Sequence, residues 1–189
     1  MKAQAAALSL VLLFAAVQPC GAAQQVLGAS VAHDCFDQAG HSTNPRAGVK
    51  LCDDALANDV LTATDRQATL VNRGILRARL HDHLGALDDY AAALAINADD
   101  GEAYLNRSAS LIALRRFGDA IDDASKAIAL HSARLEIAYY NRAVANEGLG
   151  NFGAAYQDYR QALQIEPRFA AASAQLRRFR VVGDDAKGS

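Results

Sequence analysis

Three Asn-Arg pairs carry the most chemistry in this chain: Asn72/Arg73, Asn106/Arg107 and Asn141/Arg142, at steps of 34 and 35 residues. An asparagine amide donates and accepts hydrogen bonds at once, so it can hold a peptide backbone whatever its side chains. An arginine guanidinium offers a planar fork of donors that fits a carboxylate. Acidic residues recur downstream of each pair, at Asp88/Asp89, Asp122/Asp123 and Asp158. The arginines are therefore read as packing clasps, and the asparagines as either a ladder for a peptide or locally bonded amides. His81 and His83 form a second candidate, a weak metal pair in a turn, short of the ligand number zinc requires. His33, His41 and His131 are scattered in loops. No serine elbow, Cys–His pair, phosphate loop or carboxylate dyad stands at a recognisable spacing. The reading is therefore non-catalytic, with no cofactor and no resident metal.

The elements that would position these residues follow from an internal repeat. "AYLNRSAS" at 103–110 returns as "AYYNRAVA" at 138–145, and more faintly as "TLVNRGIL" at 69–76. Laid on the Asn-Arg pair, Gly74, Ser108 and Ala143 align. So do Ala86, Ala120 and Ala155, then Tyr90, Ala124 and Tyr159, then Ala93, Ala127 and Ala162. Apolar residues within each half follow i, i+3, i+4, i+7 spacing, one face of a helix. Between the halves lie the turns "HDHLG", "RRFGD" and "GLGNFG", where glycine supports an abrupt reversal. Each unit is thus two antiparallel helices, over 66–99, 100–134 and 135–168.

These residues resemble the tetratricopeptide repeat. The third unit matches that pattern nearly throughout, with Ala143, Ala155, Tyr159, Ala162 and Pro167. The first departs at Ala98, where proline is usual, and the second at Ala124 and Ser132. The resemblance implies an all-α, right-handed solenoid of stacked helix pairs that binds a peptide or protein partner in a concave groove. It also implies that Asn72, Asn106 and Asn141 face that groove, rotated about 100° from the arginines, among Val71, Ile75, Leu105, Ala109, Ile112, Ile137, Tyr140 and Val144. The family's carboxylate clamp is not expected. Val71, Ile75, Ile137 and Asn141 stand where that clamp needs Lys, Asn, Lys and Arg.

The flanks are read as caps, because end repeats lack a neighbour. Residues 169–181 have the spacing of a capping helix. Residues 47–57 resemble the second helix of a repeat, with Gly48, Cys52 and Ala55 in place of Ala86, Tyr90 and Ala93. The turn-rich "CFDQAGHSTNPR" leaves no room for a first helix, so 24–65 is expected to be an extended arm and a half-repeat. A Cys35–Cys52 disulfide would pin that arm, closing a loop worth about 3 kcal/mol. Residues 24–33 and 182–189 are expected to be mobile.

The N-terminus has the order of a secretory signal over residues 1–23: Lys2, an apolar run from Ala3 to Val17, then Gly21-Ala22-Ala23. The run falls short of the roughly 20 residues needed to span a bilayer. The residues before Cys20 do not form a lipobox. Without Lys2 the balance is 18 basic against 21 acidic residues, which does not suggest nucleic acid. Two cysteines then remain, and an even number in an exported chain reads as one disulfide. The expectation is an exported, periplasmic scaffold or adaptor of the bacterial envelope. Its partner is a peptide or protein, with oligomerisation through the repeat ends or metal binding at His81/His83 as alternatives.

Overall fold

The structure is a computed structural model that describes residues 2–5, 31–41 and 43–182. The described residues form an α-solenoid of helix pairs: α1 (Val31–His41) with α2 (Pro45–Asn58), α3 (Ala63–Arg79) with α4 (His83–Ile96), α5 (Gly101–Ala113) with α6 (Phe117–Ala129), and α7 (Leu135–Gly148) with α8 (Phe152–Ile165). A short α9 (Ala170–Leu176) closes the series. Successive pairs stack through α2 on α3, α4 on α5, and α6 on α7. A strand β1 (Lys2–Ala5) pairs antiparallel with β2 (Phe179–Val182) beside α8. Among the described residues no helix is long and apolar enough to cross a membrane.

The helix starts follow from short polar caps. Thr62 accepts from the Asp65 N–H, Asp82 from Gly85, and Asp100 from both Glu102 and Ala103. The ends follow from a left-handed residue at His81, Arg115 and Gly150, the same position in the three pairs. At each of these a Schellman pair closes the helix: His81 to Ala78 with Asp82 to Arg77, Arg115 to Ile112 with Arg116 to Leu111, and Gly150 to Glu147 with Asn151 to Asn146. Glycine therefore supplies the reversal only at Gly150. Gly85, Gly118 and Gly153 lie in the first turns of α4, α6 and α8 instead.

The small residues let the helices close on one another. Ala86, Ala120 and Ala155, like Ala93, Ala127 and Ala162, are completely buried. So are Tyr90 and Tyr159, which fill the space those alanines leave. Gly74 sits against the Tyr90 ring so closely that a Cβ there would come within 2.5 Å of it. At the C-terminal end Tyr140 packs against Tyr159 and Phe169, with ring centroids 5.7 and 5.2 Å apart. The Tyr159 hydroxyl donates to Glu147, which also pairs with Arg178 at 2.9 Å, so the last helix is tied down by charge as well as apolar contact.

Two flanking elements differ from the sequence reading. The stretch read as an extended arm is helical: α1 puts Ala32, Cys35 and Ala39 into the interior at helical spacing. Its turn residues belong to its C-terminal end and to the cap of α2, where Asn44 accepts from Ala47. The last helix ends at Leu176 rather than near 181, and the chain turns into β2. Cys35 and Cys52 lie side by side with Cα atoms 4.9 Å apart, within disulfide range. Of the stretches expected to be mobile, Val31–His33 and Val182 belong to α1 and β2, while 24–30 and 183–189 lie outside the described residues. The expected signal boundary at residue 23 also lies outside them.

Candidate protein-interaction site

The Asn-Arg pairs lie on the first helix of each pair, α3, α5 and α7, and their two members do different work. Each arginine reaches the second helix of its own pair, always 16 residues on. Arg73 forks onto Asp89, Arg107 onto Asp123 and Arg142 onto Asp158, at 2.6–3.1 Å. Two of them also reach back to the preceding pair. Arg73 donates to Asp53 of α2 at 2.7 Å, and Arg142 to the Ser125 hydroxyl of α6 at 3.2 Å. The aspartates are the more buried partners, with side chains 3, 8 and 11 % exposed. Burial works against the Arg73 cation, but Asp89 and Asp53 outweigh it and hold its pKa above the usual value. The hydrogen bonds that Arg107 and Arg142 donate to Asp123 and Asp158 do the same for their own guanidiniums. Tyr104 and Tyr139 lay their rings under two of these guanidiniums, each 5.3 Å away. The clasp reading of the arginines therefore matches the geometry.

The asparagines point elsewhere, as their rotation on the helix requires, but they do not stand open. Asn72, Asn106 and Asn141 are 0, 2 and 1 % exposed. One amide hydrogen of Asn106 goes to the Glu102 carbonyl at 2.9 Å, and one of Asn141 crosses to the Ser108 hydroxyl of the preceding pair at 2.9 Å. Ser108 passes its own proton to the Leu105 carbonyl. The carbonyl oxygens Asn106 Oδ1 and Asn141 Oδ1 are buried and find no partner among the described residues. The expected two-way grip is thus reduced. Amide hydrogens are drawn into the fold, and what remains is a row of acceptors 35 residues apart.

The apolar residues expected to line a groove are also buried, except Val144, which is half-buried. Val71 and Ile75 pack with Tyr90 and Leu94. Leu105 packs with Ile137 and Ala138, Ile112 with Leu111 and Ala145, and Tyr140 with Tyr159. They are core contacts between helices before they are anything else. Sequence reasoning missed Ser108 as the amide's partner, although its alignment with Gly74 and Ala143 marked a place where one repeat alone carries a hydroxyl.

The histidine pair lies at the junction of α3 and α4. The His81 and His83 rings stand edge to face with centroids 6.0 Å apart, and burial together with the His81 charge pushes the His83 pKa down. Among the described residues no group of three His, Cys, Asp or Glu side chains is placed to hold a metal. An open cleft of about 330 Å³ lies elsewhere, between the links joining successive pairs, lined by Gln67, Asp99, Asp100, Glu102, His131 and Ser132 among others. Burial raises the Glu102 pKa there, and the neighbouring Asp100 adds to it, although the Ala133 N–H favours the ionised carboxylate.

Residues 137–169, which span α7 and α8, match the family model for the tetratricopeptide repeat. That stretch is similar to one tetratricopeptide repeat. Over 86 residues it is 34 % identical to human serine/threonine-protein phosphatase 5, a match that covers 46 % of this chain and 17 % of that protein. Over 114 residues it is 32 % identical to mouse protein unc-45 homolog B, covering 59 % of this chain and 12 % of that one. The chain therefore spans less than a fifth of the length of these relatives. Among solved structures, the Arabidopsis OM64 TPR domain superposes with a TM-score of 0.60 at 26 % identity, over 62 % of this chain and 96 % of that domain. The first TPR of Spaghetti (RPAP3) bound to the HSP90 peptide SRMEEVD does so at 0.57 and 25 %, over 60 % and 89 %. MamA covers more of the chain, 79 %, with a TM-score of 0.66, but at 17 % identity it is evidence of the fold alone.

Proposed function

We propose that this protein is a non-catalytic scaffold of the cell envelope, exported to the periplasm, that holds an extended peptide of a partner protein along α3, α5 and α7. One observation carries the reading. Asn106 Oδ1 and Asn141 Oδ1, one repeat apart, are buried acceptors without a donor among the described residues, and a native interior rarely leaves such groups unsatisfied without a role. Backbone N–H groups of an extended chain would satisfy them. The peptide bound to the RPAP3 domain supports the use of this fold for peptide capture. That peptide ends in acidic residues, whereas this chain offers Val71, Ile137 and Asn141 where the clamp would carry Lys, Lys and Arg, and Ile75 where it would carry Asn. The occupant here is therefore a chain held by its backbone and by aliphatic side chains. Because the acceptors lie below the surface, capture is coupled to an opening step, and association is slower than the usual 10⁵–10⁷ M⁻¹s⁻¹.

The signal-like N-terminus and the cysteine pair support export, since a disulfide persists in oxidising compartments. The catalytic activity of the phosphatase relative is not carried over, because the match covers only 17 % of that protein. A displayed peptide library selected on the full chain tests the function. Selected peptides should bind the Asn106→Ala/Asn141→Ala variant at least tenfold more weakly while its helical circular dichroism is unchanged. Equal affinity for that folded variant would remove the acceptors from the site.

A further inference from the structure

Helix α1, the first helix among the described residues, differs from α2–α8 in lacking the Arg–Asp clasps that tie those helices together. Its fully buried side chains are only Ala32, Cys35 and Ala39, with Val31 and Phe36 partly covered. Among the described residues no Arg–Asp clasp reaches it, and its ion pair, His33 with Asp37, lies within the helix at the surface. Its first turn is held by one hydrogen bond from the Ala32 N–H to Asp59 at 3.2 Å. An isolated helix of 11 residues does not sustain itself in water. Terminal units of a solenoid are also its least stable, having one neighbour instead of two.

Helix α1 packs on both α2 and α3 through its small buried side chains, and one covalent tether joins it to α2. Cys35, on the buried face of α1, meets Cys52 on α2, and both are completely buried. Beneath α1 lie Ala55, Ala68 and Leu76, all at most 2 % exposed.

We propose that the Cys35–Cys52 bond is a redox-operated latch: oxidised, it holds α1 against α2 and α3, and reduced, it lets α1 come away from them while α3–α8 stay folded. A dithiol reductant supplies two electrons and two protons. The S–S bond breaks, Cys35 and Cys52 leave as thiols, and the reductant closes into its own disulfide. Release bares Ala55, Ala68 and Leu76, an apolar end that solenoids keep covered. The latch stands independently of the peptide-binding reading, because it uses none of the asparagines.

Amide hydrogen exchange on the full chain, before and after treatment with dithiothreitol, tests it, together with thiol alkylation and an apolar dye. In the oxidised protein, alkylation should find neither Cys35 nor Cys52 free. On reduction, amides of residues 31–41 should exchange about a hundredfold faster, the scale set by closing a loop of this size. Those of α5–α8 should be unchanged, and dye fluorescence should rise. A Cys35→Ala/Cys52→Ala variant should behave as the reduced protein and ignore the reductant. Should that variant fail to fold, the wild-type reduction series decides alone. Unchanged exchange in α1 on reduction, equal acceleration in all helices, or free thiols in the oxidised protein would each overturn the latch.

Discussion

The Arg107–Asp123 clasp gives the most quantitative expectation. Two hydrogen bonds join it, Nε to Oδ2 at 2.6 Å and Nη2 to Oδ1 at 2.8 Å, with side chains 25 and 8 % exposed. At an effective dielectric near 20, charges about 4 Å apart attract by about 4 kcal/mol, and much of this is offset by desolvation. The pair therefore contributes little net stability, yet losing one partner is expensive. Arg107→Ala strands a nearly buried carboxylate and should cost about 2–3 kcal/mol, below the 3–5 of a fully buried pair because water reaches this one from the arginine side. Asp123→Ala leaves a guanidinium that can turn toward solvent and should cost about 1–2 kcal/mol. The double variant should cost less than the sum of the two, with a coupling of about 1–2 kcal/mol. Urea unfolding of the four proteins, followed by circular dichroism, reads all three numbers. A coupling below about 0.3 kcal/mol would place this pair with ordinary surface ion pairs and refute the clasp.

Three further outcomes follow from single sites. Gly74→Ala should destabilise the chain by about 1–3 kcal/mol through overpacking against the immovable Tyr90 ring, read by the shift of the unfolding midpoint. His81→Gly should stabilise it by up to about 1 kcal/mol, because His81 sits at a φ of 62° where the third pair already uses Gly150; thermal unfolding checks this. Glu102 carries a raised pKa in the folded protein, so its ionisation lowers stability as pH rises above the unfolded carboxyl value near 4.5. Glu102→Gln should therefore be neutral to stabilising at pH 7, with any gain vanishing toward pH 4, as midpoints measured across that range would reveal.

The solenoid was legible because its physics repeats. Each alanine that must touch a neighbouring helix recurs at one register, and Ala86, Ala120 and Ala155 are all completely buried. The clasps were legible for the same reason, since an arginine and an aspartate recur together at a fixed separation. Helix α1 was obscured by Gly40, His41, Asn44 and Pro45, which read as a loop although they only end one helix and begin the next. Its spacing of Ala32, Cys35, Phe36 and Ala39 was the available signal. The burial of the asparagines was not legible, because it depends on how closely neighbouring pairs approach, which the Asn106 and Asn141 amides do not encode. Nor could the left-handed turns be assigned, since His81 and Arg115 occupy a conformation that favours glycine.

Side-chain amide NMR on the full chain, titrated with a selected peptide, tests the central claim most directly. The account predicts that the Nδ2 resonances of Asn106 and Asn141 shift with the bound fraction, along with backbone amides of α5 and α7. Shifts confined to the outer helices around Asp88, Asp122 and Lys126, with both asparagines unmoved, would contradict it.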